Sequence, residues 1–94
     1  MDLRFEWDEV KAAANLDKHG SSFDEAQTVF GDATTITLFD DRHSDVKDRF
    51  IDIGMSAHRR ILVVVYTENE ERIRIINCRR ATPKERRQYE QRDV

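Results

Sequence analysis

The chain has 94 residues, of which 38% are hydrophobic and 37% are charged. This length is enough for one hydrophobic core and too short for two, so we expect a single domain over residues 1–94. The sequence lacks the roughly 20-residue apolar run of a membrane helix and the apolar stretch of a signal peptide, which predicts a cytoplasmic protein. Cys78 is its one cysteine, which excludes an intramolecular disulfide. The formal net charge of -3, taken alone, argues against a nucleic-acid binder.

The first predicted elements are a short strand and a helix. Residues around Phe5 and Trp7 alternate as in a strand, and Asp8 follows as the N-cap of a helix. This helix is expected to run to about Lys18 and to end at Gly20, where a left-handed residue is favoured. Its expected apolar stripe consists of Val10, Ala13, Ala14 and Leu16.

A second, short helix is predicted directly after Gly20. Ser22, followed by Glu25 three residues later, is a capping box, which marks the start of a helix. The apolar side chains that repeat at helical spacing in this segment are Phe23, Ala26, Val29 and Phe30.

Four strands are predicted next. They cover the β-branched stretch Thr34 to Phe39, the partly alternating stretch Arg49 to Met55, the apolar run Ile61 to Tyr66, and the mixed stretch Arg72 to Cys78. Short connections join the last three strands, so we expect antiparallel hairpins with the apolar run in the middle. This arrangement places Arg49 and Arg79 at strand ends.

The final predicted element is a helix that begins at Pro83. Thr82 is its N-cap, the proline occupies the first helical position, and Glu85 completes a capping box. Tyr89 is the only large ring in this segment, so the helix has almost no apolar stripe. We therefore expect it to lie on the surface or to contact a partner.

The charge is distributed unevenly along the chain. Residues 1–48 contain 12 Asp or Glu against 5 Lys or Arg, whereas residues 49–94 contain 7 against 11. The second half is therefore basic although the whole chain is acidic. Such a two-sided molecule suits a protein that binds polyanionic RNA with one surface, and it also suits a basic protein partner.

Short segments along nearly the whole chain form a characteristic series. In the first half they are Phe5-Glu6-Trp7-Asp8, Lys18-His19-Gly20, Ser22-Phe23-Asp24-Glu25-Ala26 and Val29-Phe30. In the second half they are Arg49-Phe50-Ile51, Val64-Val65-Tyr66-Thr67, Arg72-Ile73-Arg74-Ile75-Ile76 and Arg79-Arg80-Ala81-Thr82. In this order and at these spacings the chain resembles the BrnT family of ribonuclease toxins.

The resemblance implies a fold, an activity and a partner. The implied fold is α+β and RelE-like, an antiparallel sheet with two N-terminal helices and one C-terminal helix in the order β-α-α-β-β-β-β-α. The implied activity is cleavage of RNA that inhibits translation, without a cofactor. The implied partner is a BrnA-like ribbon-helix-helix antitoxin, which neutralises the toxin in a higher-order complex that binds operator DNA through the antitoxin.

Arg79 and Arg80 are the first candidates for the catalytic site. Cleavage of RNA without a metal requires a base for the 2′-hydroxyl, cations for the charge on the phosphate and an acid for the departing 5′-oxygen, and guanidinium groups match phosphate oxygens well. Adjacent residues on a strand point to opposite faces, so we expect one arginine to reach the phosphate and the other to brace a carboxylate or bind the antitoxin. The alternative is a pair of solvated arginines at a strand end.

His19 and Arg49 are the other candidate catalytic residues. His19 can carry a proton near neutral pH, although a cation in the last turn of a helix also interacts favourably with the helix dipole and needs no other role. Arg49 is expected either to converge with Arg79 on one phosphate or to pair with a neighbouring aspartate.

Further basic side chains are expected to bind RNA, and no metal site is expected. The RNA-binding candidates are Lys18, Arg72, Arg74 and Lys84. An acidic loop around His43 could gather a metal through Asp40, Asp41 and Asp45, but the spacing fits no tight ligand pattern, so solvated carboxylates are the better interpretation.

Two other functions remain open from the sequence. The same arginines would serve a non-catalytic module that binds RNA or the ribosome. The acidic half and the polar C-terminal helix would serve a chain whose main role is assembly and promoter repression with a DNA-binding antitoxin.

Overall fold

The computed structural model describes residues 3–40 and 48–91. Within these ranges the elements are β1 (Arg4–Glu6), α1 (Glu9–His19), α2 (Phe23–Thr28, continued by a 3-10 turn at Val29–Gly31), β2 (Ile36–Phe39), β3 (Arg49–Met55), β4 (Ile61–Asn69), β5 (Arg72–Arg80) and α3 (Pro83–Glu90). The predicted α+β order is confirmed. No helix in the described ranges is long and apolar enough to cross a membrane.

The five strands form one sheet in the order β1-β5-β4-β3-β2. Strands β2 to β5 are antiparallel neighbours, and the apolar strand β4 lies in the centre as predicted, but β1 pairs with β5 in parallel. Tyr66 pairs with Ile75 whereas Val65 pairs with Asn77, so Ile76 is an extra residue in β5, a β-bulge.

The sheet is covered differently on its two faces. One face, here called the helical face, packs against α1 and α2 around the buried residues Phe23, Ala26, Val29, Leu62, Val64, Tyr66, Ile73, Ile75 and Cys78. The other face, here called the α3 face, has a smaller cluster of Ile53, Val63 and Tyr89. Cys78 is fully buried, and burial raises the pKa of its thiol to about 11.

The local helix signals behave largely as predicted. Asp8 accepts hydrogen bonds from the N–H groups of Val10 and Lys11, and Gly20 ends α1 with a left-handed φ of 69°. Thr82 and Glu85 form both bonds of the capping box at the start of α3. At the start of α2, only the Ser22 half of the predicted capping box is present, because the Glu25 carboxylate is bound elsewhere.

The predicted apolar stripe of α1 is wrong. Val10 is 79% exposed and Leu16 is 49% exposed, whereas Asn15 is only 7% exposed. The Asn15 amide donates to the Cys78 carbonyl at 2.9 Å and accepts from the Cys78 N–H at 3.2 Å. Helix α1 is therefore held at β5 by a side-chain amide that pairs with the strand backbone, and Ala12 is the residue of α1 that packs against the hydrophobic core.

Candidate nucleic-acid interface

A cleft of about 230 Å³ lies at the end of the sheet where the β3–β4 turn approaches α3. We call it the hairpin cleft, and it is lined by Met55, Arg59, Arg60, Ile61, Arg80, Arg86 and Glu90. Four of these seven residues are arginines, and they come from three places in the chain: the β3–β4 turn, the end of β5 and α3. The fold therefore concentrates positive charge at one site that no single segment of the sequence shows.

The β3–β4 turn supplies Arg59 and Arg60. The turn is closed by hydrogen bonds from the Ser56 N–H to the Arg60 carbonyl at 2.8 Å and from the Arg59 N–H to the Ser56 carbonyl at 2.9 Å. Arg59 has a left-handed φ of 62°, a conformation that a non-glycine residue keeps only when its surroundings hold it there. The turn is thus a defined structure that presents Arg59 at the cleft.

Arg60 is bound by a buried carboxylate. Its guanidinium donates from Nε to Glu25 Oε2 at 2.9 Å and from Nη2 to Glu25 Oε1, and Ser56 Oγ donates to Oε2 at 2.7 Å. The hydrogen bond from Arg60 holds the pKa of Glu25 below its usual range, although burial acts in the opposite direction. The charge of Arg60 is therefore neutralised, and the pair ties the turn to α2.

Arg79 is the arginine of the adjacent pair that braces a carboxylate, as predicted for one of the two. It donates from Nη1 and Nη2 to the two Glu85 oxygens at 2.7 and 2.8 Å. This bidentate bond lowers the pKa of Glu85 to about 2. Glu85 also accepts from the Thr82 N–H at 2.9 Å, so it is a charged structural group and not a proton acceptor near neutral pH.

Helix α3 is anchored beside the cleft by Tyr89. The Tyr89 hydroxyl donates to Asp32 Oδ2 at 2.6 Å, and the Met55 N–H donates to the same oxygen at 2.8 Å. Burial opposes the ionisation of Asp32, but its hydrogen bonds outweigh this effect and hold its pKa below the usual range. Asp32 therefore joins α3 to the end of β3, which sets the position of Arg86 on the cleft wall.

Unlike Arg60, the other three arginines of the hairpin cleft are not paired with a carboxylate in the described structure. Arg59, Arg80 and Arg86 are exposed, and none of them forms an ion pair with another described residue. Glu90 lies in the same cleft. These three guanidinium groups are thus available for an anionic ligand.

Arg49 lies at the opposite end of the sheet. It is the register partner of Thr67 in β4, and Thr67 is the partner of Arg74 in β5. Arg79 is five residues further along β5, which is about 15 Å at the usual rise of a strand. The expected convergence of Arg49 with Arg79 on one phosphate is wrong, because β3 and β5 run in the same direction, so Arg49 at the start of β3 lies level with Arg74 near the start of β5 and not with Arg79.

The remaining RNA-binding candidates are dispersed. Arg72 and Arg74 lie near Arg49 and contact Glu6 at 3.5 and 3.0 Å, which neutralises part of their charge. Lys84 is exposed on the first turn of α3 and does not line the hairpin cleft.

Lys18 and His19 lie in a separate depression. It has a volume of about 220 Å³ and includes Lys11 from α1 and Asn77 from β5. It shares no lining residue with the hairpin cleft. His19 and Arg80, which the sequence suggested as one catalytic group, are therefore in different surface sites.

The acidic loop of the sequence lies mostly outside the described residues. This applies to Asp41, His43 and Asp45, whereas Asp40 is described. Across residues 3–40 and 48–91, no group of three or more His, Cys, Asp or Glu side chains is placed to hold a metal ion.

Sequence reasoning missed four of the five charged residues of the hairpin cleft. They are Arg59, Arg60, Arg86 and Glu90. The Arg59-Arg60 doublet directly before the central strand was a usable signal, since a hairpin turn brings its residues to the sheet end. Arg86 and Glu90, which are four residues apart and share one side of α3, required knowledge of how that helix packs.

Comparison with known proteins identifies a family and a similar solved structure. The family model described as "Ribonuclease toxin, BrnT, of type II toxin-antitoxin system" matches residues 7–85. The crystal structure of the Brucella abortus ribonuclease toxin BrnT is similar with a TM-score of 0.66 and 21% sequence identity, covering 86% of this chain and 99% of that one. A comparison with proteins of curated function finds no match. Because the sequence identity is 21%, the structural similarity is evidence for a shared fold. The family model matches most of the sequence.

Proposed function

Because the chain belongs to the BrnT family of ribonuclease toxins of type II toxin-antitoxin systems, we propose that it binds and cleaves its RNA substrate at the hairpin cleft without a metal ion. The observation that carries this proposal is the position of Arg59, Arg80 and Arg86 around one cleft with no described ion-pair partner. Phosphate is the ligand that such a cluster recognises best.

The proposed chemistry uses three kinds of group. The 2′-oxygen of the RNA attacks phosphorus, the bond to the 5′-oxygen breaks, and a 2′,3′-cyclic phosphate remains. Arg80 and Arg86 stabilise the charge that builds up on the phosphate oxygens. Glu90, the one carboxylate among the described residues that line the cleft, accepts the proton of the 2′-hydroxyl, and the departing 5′-oxygen takes a proton from water.

The other candidate residues take supporting roles in this proposal. Arg79 is a positioning residue, since its bond to Glu85 fixes the start of α3 beside the cleft. His19 and Lys18, in their separate depression, bind flanking RNA, as do Lys84 and the arginines of the far sheet end, Arg49, Arg72 and Arg74. None of these seven side chains lines the hairpin cleft in the described structure.

The cellular role proposed with this chemistry follows the family. RNA cleavage by the free toxin inhibits translation in the cytoplasm. A BrnA-like ribbon-helix-helix antitoxin neutralises it, and the two form a higher-order complex that binds operator DNA through the antitoxin.

Cleavage of RNA by the purified chain in excess EDTA tests the proposal. We expect wild-type cleavage to persist in EDTA and Arg80→Ala and Arg86→Ala to lower the rate about 100-fold or more, since each removes a group that stabilises the transition state. Arg87→Ala is the matched control, because Arg87 is exposed on the same helix and does not line the cleft, and it should retain full activity.

Two outcomes would contradict the proposal. Cleavage that requires an added divalent metal would show that the chemistry is different. RNA that is bound but stays intact, with toxicity preserved in cells, would favour the alternative of a non-catalytic module that blocks RNA or the ribosome.

A further inference from the structure

A second concave surface lies on the helical side of the molecule and shares no lining residue with the hairpin cleft. It has a volume of about 330 Å³ and runs between α1 and the start of α2. We call it the α1–α2 groove. Its apolar lining includes Trp7, Ala12, Ala13 and Leu16, and its carboxylates are Glu9 and Asp24.

The floor of the groove is aromatic. Trp7 contacts the buried ring of Phe23 edge to face, with centroids 5.9 Å apart. Leu16 is 49% exposed at the side of the groove. Apolar side chains of α1 therefore face a depression with a preformed floor that no described part of the chain fills.

The charge at the groove excludes RNA as its occupant. Glu9 and Asp24 repel phosphate groups, and no lysine or arginine lines the groove in the described structure. The same carboxylates attract Lys or Arg side chains of a protein. The groove thus fits an apolar side chain that is flanked by basic residues, which is the pattern of a basic amphipathic segment.

We propose that the α1–α2 groove is the docking site of the antitoxin, and that the antitoxin fills it with an apolar side chain beside one or more lysines or arginines. The identity of the partner rests on the toxin-antitoxin family assignment, whereas the chemistry of the segment rests on the groove. Charge complementarity selects this partner over RNA, because Glu9 and Asp24 in the groove attract cationic side chains and repel phosphate groups.

Affinity for the cognate antitoxin tests the proposal directly. Leu16→Arg and Glu9→Lys should weaken binding at least tenfold, because the first removes an apolar contact and the second reverses a charge. Val10→Arg is the matched control: Val10 is on the same helix and is 79% exposed but does not line the groove. Each variant should still cleave RNA at the wild-type rate, since none lies at the hairpin cleft.

Trp7 provides an independent readout, because it is the only tryptophan of the chain. A tryptophan-free version of the antitoxin should shift or quench Trp7 fluorescence on binding to the wild type and not to Leu16→Arg. A 2′-deoxy oligonucleotide, which lacks the attacking hydroxyl, should leave the emission unchanged.

The outcomes separate this proposal from the proposed function. Equal antitoxin affinity of all three variants would overturn the docking site. A wild-type chain that sediments as a dimer and becomes monomeric with Leu16→Arg would also overturn it, because a second copy would then occupy the groove. Failure of the wild type to cleave RNA would contradict only the proposed role of the hairpin cleft. The fluorescence change reports on antitoxin binding at the groove whether or not RNA is cleaved.

Discussion

At the scale of single residues, Asp52 is a buried carboxylate without a cation beside it in the described structure. Burial raises its pKa, and the hydrogen bonds that it accepts from Thr37 at 2.8 Å and Tyr66 at 2.9 Å offset this effect only in part. A group whose pKa is higher in the folded than in the unfolded state stabilises the fold below its unfolded pKa. That contribution is lost as the pH rises through the folded pKa.

Replacement of Asp52 by asparagine should therefore stabilise the protein at pH 7. Asp52→Asn keeps an oxygen that accepts from Thr37 and Tyr66 but has no charge to desolvate. We expect a gain on the order of 1 kcal/mol at pH 7 that shrinks towards pH 4. Thermal unfolding at both pH values measures it, with Asp17→Asn on the exposed surface of α1 as the control. A loss of stability at pH 7 would contradict the assignment.

The sequence identified Arg79 and Arg80 as a pair of candidate site residues but did not show which of the two pairs with a carboxylate. Alternation along a strand requires the two side chains to point to opposite faces, and their register partners Val63 and Leu62 confirm it. Which arginine pairs with an acid depends on where Glu85 lies in space. That position is set by the packing of α3 against the sheet, which a single sequence does not reveal.

At the scale of elements, the Glu25–Arg60 pair connects α2 to the β3–β4 turn. Ser56 and Thr28 add to the same connection, since Ser56 Oγ donates to Glu25 and the Ala57 N–H donates to Thr28 Oγ1 at 2.8 Å. The turn that presents Arg59 therefore depends on a helix more than 20 residues earlier in the chain.

A double-mutant cycle tests this connection. Glu25→Gln should destabilise the protein by about 3 kcal/mol, because it leaves the Arg60 charge without its partner in a partly buried site. Arg60→Met should also be destabilising, since it leaves a buried carboxylate. The double variant should lose less than the sum of the two, by about 1–3 kcal/mol. Urea unfolding gives the three values, and strictly additive losses would show that the two side chains act independently.

Helix ends were predictable from sequence, whereas helix faces were not. Asp8, Gly20 and Thr82 act through hydrogen bonds or backbone preferences within a few residues, so local patterns identify them. Asn15 is buried because its amide meets the Cys78 backbone 63 residues later. A polar residue on the buried side of α1 contradicts the usual amphipathic pattern, and only the tertiary contact explains it.

At the scale of the whole molecule, the charge asymmetry and the family pattern were visible in the sequence, but the cleft was not. The sequence placed the basic residues in the second half without showing which of them meet. Strand direction separates Arg49 from Arg79, and the bulge at Ile76 changes which β5 side chains share a face. Both effects are non-local consequences of sheet topology, so the site required the fold.

The hairpin cleft predicts a definite salt dependence of RNA binding. Each phosphate that a protein neutralises on a single strand contributes about -0.7 to the slope of log affinity against log salt concentration. Arg59, Arg80 and Arg86 have no described ion-pair partner, so a non-cleavable 2′-deoxy strand should bind with a slope of about -2 or steeper.

Because Arg86→Ala removes one such cation, it should make the slope shallower by about 0.7, whereas Arg87→Ala should not change it. Fluorescence anisotropy titrations between 50 and 200 mM salt, a range of about fourfold, give the slopes. Equal slopes for the two variants would show that Arg86 does not contact a phosphate and that the RNA follows another surface.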